Sequence, residues 1–263
     1  MKKLFALILA TLMIASLLTA CGAKAPAEAT SDLTAIKNAG KIIVGITDYA
    51  PMDYKDENGN WTGFDAEFAQ LFAKELGVDC EFYVIADWGK KFMELETKQI
   101  DAVWNGMTIT EEALTNSSVS DPYVINAQVV VTKIDALEVY NSVEALSGLT
   151  IAVESGSAGE TCANEIAGAN VVPLQNQEAA LMEVAAGTSD ACIIDITMAN
   201  AMTGDGTSYA DLGYSLSLSE EEYGVSFRKD SDLTEKFNEF MIKLRDEGTL
   251  RDLADKYNLT LAE

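Results

Sequence analysis

The sequence predicts an α/β fold arranged as two lobes, and three observations predict it. Short β-branched strands alternate with amphipathic helices from residue 33 onward, the alternation runs once over residues 41–104, and the same grammar returns over residues 149–195. Alternation of this kind implies largely parallel sheets, with ligands held beyond the carboxyl ends of the strands.

Each element carries its own signal. Residues 41–47 (KIIVGIT) form a β-branched strand, broken by Asp48, Tyr49, Ala50 and Pro51. The run DENGN within residues 54–61 is the turn of an exposed hairpin. Phe64, Phe68, Leu71, Phe72 and Leu76 recur at helical spacing, and Gly77 stops that helix. Residues 78–85 are again a strand, residues 88–98 a helix carrying Phe92 and Leu95, and residues 100–104 a short buried strand ending in the loop NGMT. The second pass reads as strand 149–153, glycine-led helix 156–166, strand 170–173, helix 177–186, and a strand over 191–194 that ends at Asp195. After Tyr223 and Gly224 a strand covers 225–227. Leu233, Phe237, Phe240, Met241 and Leu244 then mark a helix, and a last helix covers 250–257.

The start of the chain reads as targeting rather than fold. Lys2 and Lys3 precede an uncharged apolar stretch over residues 4–18, too short to serve comfortably as a permanent span. Leu18, Thr19, Ala20 and Cys21 resemble a bacterial lipobox, so residues 1–21 are expected to be a lipoprotein signal with Cys21 as the lipidated residue. An ordinary secretory signal with an incidental cysteine is the alternative. Residues 22–32 hold no large apolar side chain and are expected to be a flexible tether. This places the domain on the extracytoplasmic face of a cell membrane, held through its lipid.

Composition narrows the chemistry. Residues 33–263 supply 231 residues, enough for one large domain or two smaller ones. Without Lys2 and Lys3, 16 basic residues face 42 acidic ones, a formal charge of −26, which argues against nucleic-acid binding and for solubility. The chain has no histidine, so Ser-His and Cys-His catalytic pairs and His-ligated metals are excluded. Cys80, Cys162 and Cys192 have no metal-like spacing. Cys162 and Cys192 could pair, but three separate buried thiols are the preferred expectation. No metal and no cofactor is expected.

The motifs then fall into a familiar order. The 41–47 strand before Tyr49 and Ala50, GFD at 63–65, WNGMTIT at 104–110, DPY at 121–123, VESGSA at 153–158, the strand-end Asp195 and EEYGVSF at 221–227 together resemble the polar amino-acid solute-binding family of ABC importers. GFD alone would be weak, whereas seven motifs in one order are specific. The resemblance implies a periplasmic-binding-protein-like (type II) fold with two crossings, near 131–133 and 219–224. Lobe one would comprise residues 33–131 and 223–263, lobe two residues 132–222. It also implies a monomer that delivers a small ligand to ABC permease subunits. Two other readings on the same scaffold are a dehydratase-like enzyme, with Glu154 as its acid, and a sensory ligand-binding protein.

The resemblance also assigns a pocket. Tyr49 and Trp88 would be aromatic walls; Asn105, Gly106 and Thr108 would line the loop after the short strand; Ser157 and Ala158 would open a helix whose amides hold an anion. Asp195 would accept the ligand's ammonium. Taken singly, Tyr49 or Trp88 is more often core, Asp195 a solvated acid, and Gly156 with Ser157 a common helix cap. One position departs from the pattern. Five residues after Thr108, where relatives carry an arginine forked onto the ligand carboxylate, stands Ala113. Asp48, Glu154 and Asp195 would leave the cleft net negative, so either Lys91 replaces the clamp or the ligand is cationic, an amine without a free carboxylate included.

Overall fold

The computed structural model describes residues 31–263, and the expected signal, Cys21 and most of the tether lie outside the described residues. In chain order the elements are α1 (Asp32–Ala39), β1 (Lys41–Ile46), β2 (Tyr54–Lys55), β3 (Trp61–Thr62), α2 (Phe64–Leu76), β4 (Asp79–Val84), α3 (Lys91–Glu96), β5 (Ala102–Val103), α4 (Glu111–Asn116), β6 (Ser118–Val119) and β7 (Val124–Lys133). Then come β8 (Thr150–Glu154), α5 (Ala158–Glu165), β9 (Asn170–Leu174), α6 (Gln177–Ala186), β10 (Ala191–Asp195), α7 (Ile196–Met202), β11 (Leu212–Tyr223), β12 (Ser226–Phe227), α8 (Leu233–Asp246) and α9 (Thr249–Lys256). A 3₁₀ turn, Trp88–Lys90, leads into α3. Among the described residues no helix is long and apolar enough to cross a membrane.

Two five-stranded sheets organise these elements, in the orders β4-β1-β5-β12-β6 and β11-β7-β10-β8-β9. Parallel pairs form their centres: β1 with β4 and β5, and β8 with β9 and β10. The sheets are more mixed than strand–helix alternation implies. β12 runs antiparallel to β5 and β6, and β7 runs antiparallel to β10 and β11, because the segments that pass between the sheets enter the second lattice in the reverse direction.

The crossings differ from the expected positions. Residues 131–133 lie inside the continuous β7–β11 ladder, which runs from Val124↔Tyr223 to Lys133↔Leu212. The chain passes between the sheets over residues 120–123, and returns over residues 224–225 between β11 and β12. A run of β-branched residues holds β7 in one ladder and leaves no break at 131. The last residues strap the first crossing: the Ile125 amide donates to the Thr260 carbonyl at 2.9 Å, and the Ala262 amide to the Tyr123 carbonyl at 3.1 Å.

Packing explains the helices on the first sheet. α2 places Phe64, Phe68 and Phe72 one turn apart on a buried face. Phe68 and Phe72 meet Phe237 of α8 with ring centroids 5.3 Å apart, and Trp104 sits 5.0 Å from Phe68. Each such side chain, fully buried, contributes about 1.5–3 kcal/mol. On the other sheet, α6 has the bounds its caps dictate: Asn176 accepts the Ala179 amide, and left-handed Gly187 closes the last turn.

Asp32, placed in the tether by composition, is the first residue of α1. Its carboxylate pairs with Arg228 Nε at 3.0 Å. Arg228 also reaches Asp101 at 2.8 Å and donates to the Ile100 carbonyl at 2.7 Å, so α1 is fastened to the first sheet. The three described cysteines are free thiols, Cys192 buried and Cys80 and Cys162 half-buried.

Candidate ligand-binding site

Between the carboxyl ends of the two sheets lies a cavity of about 550 Å³. One wall is the loop after β5. Asn105 is clipped to β1, accepting the Thr47 amide at 2.9 Å and donating to the Thr47 hydroxyl at 2.7 Å. The Gly106 amide donates to Asp65 Oδ2 at 2.6 Å, and the Tyr123 hydroxyl donates to the same oxygen at 2.9 Å. The aspartate of the GFD motif therefore positions the NGMT loop from below. Burial pushes its carboxyl up to about 7 against the pull of the Gly106 amide.

The opposite wall is built by β8, β10 and α5. Glu154 ends β8, is 4% exposed, and leaves Oε1 buried without a hydrogen-bond partner. Asp195 ends β10 and is 3% exposed. Its Oδ1 accepts from Asn126 at 2.5 Å and Gln128 at 2.6 Å, and its Oδ2 accepts from Gln177. Ser157 caps α5 by accepting the Glu160 amide at 3.1 Å. Gly156 lies opposite Gly89 so closely that a Cβ on Gly156 would stand 2.4 Å from the Gly89 Cα.

The hinge ribbon forms the floor and adds a third acid. Glu221 Oε1 accepts from Asn126, Gln128 and the Thr108 hydroxyl at 2.6, 2.7 and 2.8 Å. Three carboxyls thus share one poorly hydrated space, and all three hold their protons more tightly than usual. Burial pushes Glu154 up to about 8 and Glu221 up to about 7, and the charge of Asp195 adds to both. Asp195 itself is raised by burial, with its amide donors opposing the shift. Burial lowers Lys91 from its ordinary value.

The cavity brings together Trp88, Lys91, Asn105, Gly106, Thr108, Glu154, Ser157, Ala158 and Asp195. It does not bring in Asp48, which is exposed at the strand end because β1 stops at Ile46 and the chain turns outward. Tyr49 is buried below the lining, its hydroxyl sharing 2.5 Å hydrogen bonds with Thr197 and Tyr223. Gly106 is made necessary by that ring, since a Cβ there would stand 2.5 Å from Tyr49 Cε1. The Thr108 hydroxyl is committed to Glu221. Sequence reasoning passed over Asn126, Gln128, Gln177 and Glu221. A signal existed for two of them: Asn126 and Gln128 are amides two apart in a strand that is otherwise apolar up to Val131, so they share one face. Among the described residues no cluster of acids or cysteines is arranged to hold a metal ion.

Arginine-binding extracellular protein ArtP of Bacillus subtilis (strain 168) is 33% identical over 265 residues, spanning 98% of this chain and 98% of that protein. Holo ArgBP from T. maritima is 35% identical over 81% of this chain and 93% of its own, with a TM-score of 0.75. An ancestral amino acid-binding protein described as a precursor of cyclohexadienyl dehydratase is 32% identical, covers 86% of this chain and 99% of its own, and has a TM-score of 0.79. The fold is therefore the two-lobed type II arrangement. The family profile of the bacterial extracellular solute-binding proteins, family 3, matches residues 42–260, and the chain belongs to that family.

Proposed function

We propose that the protein captures a cationic amino acid in the interlobe cavity and presents it, by hinge closure, to the permease of an ABC importer. The observation that carries this reading is the unpartnered carboxylate oxygen of Glu154, buried in a cavity lined by Glu111, Glu112, Glu160, Asp195 and Glu221 and by one cationic side chain, Lys91. A cation entering that space gains partners, whereas a ligand carboxylate placed against the acids would be desolvated and repelled. Trp88 lines the same cavity, with its ring facing the Lys91 ammonium at 5.1 Å. The arginine named for ArtP supports the same class.

Closure is supported by contacts that join the two sides of the cavity. Tyr49, in the loop after β1, meets Thr197 of α7, and the Lys91 ammonium donates to the Gly156 carbonyl at 3.0 Å. A ligand that bridges the same walls favours the closed state by its differential affinity for it.

The test is calorimetry with arginine, lysine, glutamine and glutamate in one buffer. Arginine or lysine should bind at least 100-fold more tightly than glutamate, and tight glutamate binding would overturn the reading. Because burial pushes the Glu154 and Glu221 carboxyls up to about 8 and about 7, a cation that lowers both releases protons as it binds. Affinity should therefore rise from pH 6 to pH 8.5, by up to about tenfold per unit for each proton released.

The location proposed is the extracytoplasmic face of the cell membrane, with Cys21 carrying the lipid. Cys21→Ser should move the protein from the membrane to the soluble fraction without changing its melting temperature, since the described fold begins at α1. Retention of the variant in the membrane fraction would sink the anchor. A dehydratase-like reading draws on Glu154, whose Oε1 is buried without a partner and whose carboxyl burial pushes up to about 8, a range that suits a general acid. Binding of arginine without turnover would decide against it.

A further inference from the structure

Lys91 is a buried cation that, among the described residues, joins no ion pair. It opens α3 and is 5% exposed. Its ammonium donates to the carbonyls of Gly156 at 3.0 Å and Trp88 at 3.4 Å, and lies 5.1 and 4.9 Å from the rings of Trp88 and Phe92. Among the described residues no carboxylate is in ion-pair contact with it; Asp87, four residues before it, is taken by Lys90 at 2.8 Å. The acids that act on it from a distance are Glu112 of α4, Glu154 of β8 and Asp87. An ammonium buried without a counter-ion is costly, so a partner that arrives with the ligand is the economical account of its place in the cavity wall.

The opposite side of this corner is also prepared for an anion. α5 starts there, and the amide of Ala158, which lines the cavity, has no backbone partner, while the Gly156 amide is already taken by Glu160 Oε2 at 2.6 Å. Ala113 of α4 is fully buried against an apolar group that includes Ile85, Trp88 and Met107, so among the described residues Lys91 is the one cation in the cavity lining.

We propose that Lys91 anchors the α-carboxylate of the ligand, so that the site selects a zwitterionic cationic amino acid against the amine left by its decarboxylation. This rests on the cationic amino-acid reading above. A carboxylate held between Lys91 on one side and the Ala158 amide at the start of α5 on the other would tie the two lobes through the ligand. A lysine offers this as a point charge rather than a planar fork, so orientation must come from the start of α5.

The experiment compares three pairs on the full mature protein by calorimetry: arginine with agmatine, lysine with cadaverine, and ornithine with putrescine. Argininamide is added as a probe that keeps the α-ammonium and removes the negative charge. The parent should prefer arginine over agmatine and over argininamide by about 100-fold, the range expected when one partner of a buried charge pair is lost. Lys91→Met should lower arginine affinity and raise agmatine affinity, because the repelling ammonium is gone; Lys91→Arg should restore the preference for arginine. A purely structural lysine would weaken both ligands together, and that result overturns the proposal. Equal binding of arginine, agmatine and argininamide by the parent overturns it too, while leaving the cation reading intact. Failure of every pair overturns both, and the argininamide comparison needs no variant to fold.

Discussion

Asp195→Asn should weaken binding of a cationic amino acid by about 2–4 kcal/mol, roughly 30- to 1000-fold, while leaving the protein folded. The size follows from two losses at one position. The ligand's ammonium loses a buried counter-charge, and the amide brings an NH₂ group where the carboxylate had an acceptor. Asn126, Gln128 and Gln177 all donate to Asp195 through side-chain nitrogens, so one donor in the substituted site must face another. Removing the charge also relieves Glu221 and Glu154, whose carboxyls are pushed up in part by Asp195. The rise in affinity between pH 6 and pH 8.5 should flatten accordingly. Calorimetry at both ends of that range measures both effects, and unchanged affinity would reduce Asp195 to a structural acceptor for the three amides.

Gly156→Ala should cost about as much by a different route, lowering affinity roughly 100-fold by displacing the closed state. Its φ of +74° already lies where a side chain is strained by about 1–2 kcal/mol. The larger effect is steric: a Cβ would stand 2.4 Å from the Gly89 Cα and 2.7 Å from its nitrogen, and backbone atoms do not swing aside. The two sides of the cavity would have to part. Gly148→Ala is the control, with φ of +83° and nothing within 4 Å of its added carbon. It should lose stability and keep affinity. Scattering in the presence of ligand should show compaction for the parent and the Gly148 variant but not for the Gly156 variant; compaction in all three would refute the steric argument.

Much of the fold was legible because local chemistry and tertiary packing agree. α6 could be bounded from sequence because Asn176 and Gly187 cap a run with no competing signal, and α2 because its phenylalanines fall one turn apart before Gly77. α4 and α7 were not legible, at six and seven residues too short for a helical period to establish itself. β11 mixes serines and glutamates through a ladder with two irregularities, so alternation fails where the strand is longest. The site divides the same way. Glu154, Ser157 and Asp195 sit at strand and helix ends that motifs mark. Gln177 and Glu221 act through partners 18 and 93 residues away in sequence, a relation no local pattern carries. Asp48 was misread because its neighbour Tyr49 turns inward while it turns out.

The rivet of Arg228 bears on how the molecule is moored. The described chain begins at a helix pinned to the first sheet by Asp32, Arg228 and Asp101, with the Leu33 amide held by Asp232 at 3.1 Å. On the proposed anchor, the mooring line pulls on one jaw alone. The jaw that carries Glu154 and Asp195 swings free of that load, and tension along the line is borne by a guanidinium rather than by the two crossings.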